Sequence, residues 1–127
     1  ATRATPEQID ELERINQCML DAVNSGAPDH VAQVQHYNNL FHHALLEAAQ
    51  SARVRSLVDN LLDMPIIIGS FYFYTPEDML RSVEHHRQII AAIRARDPAC
   101  AEIAVRFHLA ATHLLFRSHR KDGKTGE

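Results

Sequence analysis

Twice the chain spells threonine, proline and an acidic residue, and each time the pattern dictates where a helix begins. Thr5-Pro6-Glu7-Gln8 and Thr75-Pro76-Glu77-Asp78 place a hydroxyl acceptor at the N-cap. Proline then takes the first helical position, where an N–H is not needed. From the first start, Ile9, Leu12, Ile15, Met19 and Val23 form an apolar stripe of helical period that stops at Asn24-Ser25-Gly26. A second helix is expected from Pro28-Asp29 to about Gln50, carrying Val31, Val34, Leu40, Phe41, Leu45 and Ala48. A third runs from about Arg53 to Met64 on Val54, Leu57, Val58, Leu61 and Leu62. The stretch from Pro65 to Tyr74 reads as a buried helical continuation kinked at Pro65, because a lone strand would have no partner. The second threonine-proline start opens a helix to about Arg96, and Asp97-Pro98 opens the last, ending near Ser118. The sum is an all-α, antiparallel helical bundle of about five to six helices with short connections. It fills one domain over residues 1–120, with a polar, disordered tail at 121–127.

Composition narrows the function classes. A 127-residue chain is one domain with a real core, and a formal charge of −3 gives no basic footprint for nucleic acid. Cys18 and Cys100 form no C-x-x-C pair and read as buried or half-buried thiols of a reducing, cytoplasmic compartment. No apolar run approaches the roughly 20 residues needed to span a bilayer, and MPIIIGSFYFY is broken by proline, glycine and serine. The start has neither signal-peptide character nor an initiator methionine, which suggests a piece of a longer protein.

Four residues carry the chemistry. Asn38 and His42 are four apart and therefore share one helix face with Leu45 and Ala49. His86 begins the face of Ile89, Ile90 and Ile93, and His108 continues the face of Ala101, Ala104 and Val105. Each apolar setting turns an imidazole inward, where it needs a partner, and one metal ion would serve all three. His30 and His119 are expected in solvent. His36, His43, His85 and His113 point about 100° or more away from their candidate neighbours. No E-x-x-H occurs, so the di-iron bundle signature is absent, and no H-E-x-x-H, G-x-S-x-G or glycine-rich phosphate loop is present.

In these segments the chain resembles the FCD domain, the C-terminal ligand-sensing half of FadR-type GntR transcription regulators. Phe41-His42 matches its F-H pair. His86, Ile89, Ala92 and Ile93 match H-x-x-I-x-x-A-I, and Asp97, Ala101 and His108-Leu109 match the D-x-x-x-A and H-L pieces. The resemblance covers about Thr5 to Phe116. It implies metal ligands at Asn38, His42, His86 and His108, a zinc or nickel ion, and a small carboxylate effector completing the shell. It also implies a homodimer, and DNA contact only through an N-terminal winged helix-turn-helix that this chain lacks, together with the family's first effector-domain helix. Where the family usually has aspartate, this chain has Asn38, so the ligand set brings no charge.

The resulting expectation is an effector-sensing and dimerisation domain, not an enzyme and not membrane-bound. Arg81, Arg87, Arg106 and Arg117 are candidates to assist the effector. One rival is a metal-dependent hydrolase-like enzyme, since three histidines and an open position can also activate water, although Glu84 lies on a different face from His86. The other is a metal-free helical interaction module.

Overall fold

The computed structural model describes residues 4–49, 52–62 and 75–125, the last three of the middle segment and residues 116–125 by backbone alone. Five helices are present among them: α1 (Pro6–Asn24), α2 (His30–Ala48), α3 (Ala52–Leu62), α4 (Pro76–Arg94) and α5 (Pro98–Thr125). The all-α expectation is correct. The stretch expected to be a buried helical continuation from Pro65 to Tyr74 lies outside the described residues. The last helix continues past Ser118, the end that its pattern suggests.

Both threonine-proline starts form complete capping boxes. Thr5 Oγ1 accepts from Gln8 N at 3.1 Å while the Gln8 side chain accepts from Thr5 N at 2.9 Å. Thr75 and Asp78 repeat the exchange at 3.1 and 3.0 Å. At α2 the N-cap Asp29 makes no side-chain cap bond. Helix α1 stops at Ser25, whose hydroxyl donates to Ala22 O, and Gly26 follows at φ 66°, a left-handed conformation that glycine adopts without Cβ strain. Between α4 and α5 the corresponding position is Arg96 at φ 59°, which costs a side-chain-bearing residue roughly 1–2 kcal/mol. Its guanidinium donates to the carbonyl of Ala4, just ahead of α1. Asp97 then caps α5 by accepting from Cys100 N at 3.0 Å.

The principal packing contacts close a ring: α1 on α2, α2 on α3, α3 on α5, α5 on α4, and α4 back on α1. The apolar residues inside this ring form two clusters. The larger gathers Ile9, Leu12 and Ile15 of α1, Phe41 and Leu45 of α2, Val54 and Val58 of α3, Ile89 and Ile93 of α4, and Ala101 and Val105 of α5. The smaller gathers Met19, Val34, Met79 and Val83. Helix α1 enters the larger cluster first, whereas α2 and α4 reach it last, so α1 runs antiparallel to both. Between the clusters, at the same level on α1, α2 and α4, sit buried Asn16, Asn38 and His86. Both cysteines are free; Cys18 is half-buried, but Cys100 is exposed, contrary to the expectation of a covered thiol. Among the described residues no helix is long and apolar enough to cross a membrane.

The caps yield a comparison that thermal unfolding can test. Thr5→Ala and Thr75→Ala should each cost about 0.5–2 kcal/mol. Asp29→Ala, which removes no cap bond, should stay within about 0.5 kcal/mol of the parent. Equal losses at all three positions would contradict this account of the helix starts.

Candidate metal centre

Three helices bring His42, His86 and His108 to one point. All three are buried, with exposures of 2%, 0% and 2%, and one nitrogen of each lies within 4.8 Å of the others. Ring centroids stand 5.5 Å apart for His42–His86 and His42–His108, and 4.9 Å apart for His86–His108. Nε2 of His42 lies 3.3 Å from Nε2 of His108. Two nitrogens bound to one tetrahedral ion at about 2.0–2.1 Å stand roughly 3.3–3.4 Å apart, so this spacing is already that of a coordination edge. Asn38, one turn before His42, is buried as well. The sequence-predicted set thus lies entirely in the core, with the three histidines in mutual reach.

Unpaired atoms show what the cluster lacks. Among the described residues, Asn38 Oδ1, His42 Nδ1 and His86 Nε2 are buried with no hydrogen-bond partner, as is Asn39 Oδ1 on a neighbouring face. An unsatisfied buried polar atom costs about 1–3 kcal/mol, and native cores leave few of them. Orphaned acceptors on Asn38 and His86, beside the His42–His108 pair, suit a cation that takes lone pairs. The donor chemistry fits a borderline divalent ion such as zinc or nickel.

Two residues of the site escaped the sequence reading. Asn16 of α1 donates from Nδ2 to the Val83 carbonyl at 3.1 Å, and its Oδ1 lies 3.0 Å from His86 Nδ1. His85, which helix geometry turns away from His86, instead meets His108 across the α4–α5 seam, Nδ1 to Nδ1 at 3.1 Å. The hint for Asn16 was an amide within the stripe of Ile9, Leu12, Ile15 and Met19; nothing local marked His85. Phe41 stacks flat on His86, with centroids 3.9 Å apart and planes 8° apart, which holds that ring in place.

Burial dominates the electrostatics. It lowers the His42 pKa to about 4, helped by the neighbouring His43 charge. It drives His86 and His108 well below the usual histidine value, and the other imidazoles of the cluster add to the effect. His85 is also lowered, by burial and then by Arg81, against an opposing pull from Glu84. Near neutral pH the three buried rings are therefore uncharged, with lone pairs to offer. Among the described residues no carboxylate joins them. Asp78 is engaged with Thr75 and Arg81, and Glu84 pairs with Arg87 on the exposed face of α4.

A cavity of about 330 Å³ opens beside His85 between α4 and α5, lined in part by Arg81, Ser82, His85, Ala111 and Thr112. A wider groove of about 650 Å³ lies outside α1 and α4 among Asp10, Glu13, Arg87 and Arg94, with Asn16 in its wall. Its rim charges largely satisfy one another, Arg94 meeting Glu13 at 2.7 Å, whereas the smaller cavity has His85, the neighbour of His108, in its wall.

Compared with known proteins, the chain matches the family model for the FCD domain over residues 1–111. No curated protein matches it, and no solved structure does.

The depressed histidine values set a pH dependence for metal-free protein. Because the folded state resists protonation, the unfolded chain binds more protons once the pH falls below about 6.5. Stability should hold above that point and fall progressively toward pH of about 4, where His42 titrates in the fold. Melting temperatures measured in chelator from about pH 7.5 to 4.5 should drop, and less steeply for His86→Gln. A flat profile would show that the cluster is not buried and neutral.

Proposed function

The chain belongs to the FCD domain family, the effector-sensing domain of GntR-type regulators, and from that premise we propose that His42, His86 and His108 hold a divalent metal. Zinc or nickel is the ion of choice, Asn38 is the fourth and weaker donor, and a small organic acid completes the shell. The observation that carries this reading is the set of three buried, neutral imidazoles with ligand nitrogens within 4.8 Å. A bound ion supplies positive charge and Lewis acidity at the three histidines. Three imidazoles and an amide leave that charge at a formal +2, so an anionic ligand is strongly drawn to it.

Of the four arginines considered, Arg81 is the one whose side chain lines the cavity next to His85. It already holds Asp78 at 3.2 Å, with most of its surface in water, and can turn one edge of its guanidinium to a carboxylate. Arg87 and Arg106 pair with Glu84 and Glu102 on outer faces, and the Arg117 side chain lies outside the described residues. Ser82 and Thr112 add hydroxyls to the cavity wall.

The protein then works as a sensor in the cytoplasm, as a homodimer, and reaches DNA through an N-terminal winged helix-turn-helix. Ligand binding at the α4–α5 seam biases two packings of these helices by its difference in affinity for them. It is not an enzyme on this reading. A hydrolase would need a general base beside the metal, and no described carboxylate occupies that place. A metal-free interaction module would leave the orphaned atoms of Asn38 and His86 uncompensated.

Elemental analysis of purified protein tests the centre. About one divalent ion per chain is expected, lost in both His86→Ala and His108→Ala. Absence of metal even after loading with zinc and nickel would overturn the proposal. Asn38→Asp should tighten zinc binding by at least about tenfold, equivalent to about 1.4 kcal/mol, because it supplies the missing negative charge. Chelator competition reads this directly, and unchanged affinity would remove position 38 from the ligand set.

A further inference from the structure

We propose that Asn16, on a different helix from every metal ligand named above, is a positioning residue that fixes the tautomer and direction of His86. The argument starts from the Val83 carbonyl, which can only accept a hydrogen bond. The Asn16 group facing it at 3.1 Å must therefore be the NH2. That leaves Oδ1, a pure acceptor, 3.0 Å from His86 Nδ1, so Nδ1 carries the proton. His86 Nε2 is then the lone-pair nitrogen, and among the described residues it has no hydrogen-bond partner.

The geometry is over-determined. Asn16 is 4% exposed and bridges one turn of α4, from the backbone at Val83 to the ring at His86. The flat stack on Phe41 opposes a flip of the ring, which would put Cδ2 where Nδ1 meets Asn16. The opposite tautomer would set the Nδ1 lone pair against the Asn16 oxygen and bury an N–H at Nε2 among the other imidazoles. Asn16 thus occupies the outer-shell place of the carboxylate or carbonyl that receives the far N–H of a ligating histidine, where removal costs about 10- to 100-fold in metal affinity.

This inference rests on the metal-centre reading only for its effect on affinity, since the tautomer is a property of the metal-free protein. Nitrogen-15 spectra of the histidine rings, recorded on the full chain in chelator, distinguish protonated from unprotonated nitrogens. The parent should show His86 protonated at Nδ1. Asn16→Asp, which keeps the acceptor but loses the donor to Val83, should retain that tautomer and bind zinc at least as tightly. Asn16→Leu, of similar volume, should lose the single tautomer and weaken zinc binding by about 10- to 100-fold in dye competition. Parent His86 protonated at Nε2 would overturn the proposal, as would Asn16→Leu retaining both the tautomer and the affinity. If Asn16→Leu fails to fold, the parent and Asn16→Asp spectra still decide. A parent that binds no zinc yet shows the Asn16-dependent tautomer would sink the metal centre and leave this assignment standing.

Discussion

Keeping three buried imidazoles uncharged is the constraint on which the rest of this fold turns. A charged imidazole cannot be buried there without a counter-ion, and no described carboxylate supplies one. A neutral imidazole still has two nitrogens to satisfy. The bundle addresses this with a polar stratum between two apolar clusters, reached at one level by Asn16, Asn38 and His86. The apolar residues above and below exclude water and so create the need for partners. The amide of Asn16 and the ring of His85 meet part of that need from outside the cluster. The acceptors left over on Asn38 and His86 belong to the same stratum as the His42–His108 pair, which is why the pattern reads as a site and not as a flaw in packing.

Much of this was legible in the sequence because it is written at short range. Capping boxes join residues three apart, and the faces of Asn38 with His42 or of His86 with Ile89 follow from one turn of helix. The convergence of His42, His86 and His108 required only that each face turn inward, and the two-cluster core supplies the reason that all three do. Legibility failed where a partner is remote. Asn16 owes its role to residues 67 and 70 positions away, and its amide alone announces nothing beyond a polar break in an apolar stripe. His85 was misjudged because the angle from His86 says where a ring points on its own helix but not what the next helix brings to meet it. Cys100 was misjudged for a related reason: it lies in the first turn of α5, at the corner, where none of the other described helices covers it.

On the proposed reading, the amide at position 38 alters the balance between ion and ligand. With aspartate the protein would hold the ion mainly by its own charge. With Asn38 that attraction is weaker, and an anionic effector would bring part of what the protein withholds. By linkage each would then strengthen the other's binding to the same degree, so that on the proposed reading the domain responds to the pair more than to either component.

The bond from Arg96 to the Ala4 carbonyl has a mechanical meaning. Arg96 sits at the corner between α4 and α5, the two helices that supply His86 and His108, and it is held in a left-handed conformation that its side chain does not favour. Ala4 is the buried residue immediately before the first capping box. That bond ties the corner directly to the start of the bundle. On the proposed reading, a tilt of the α4–α5 pair would reach the backbone ahead of Pro6 through this bond, without the large apolar core being repacked.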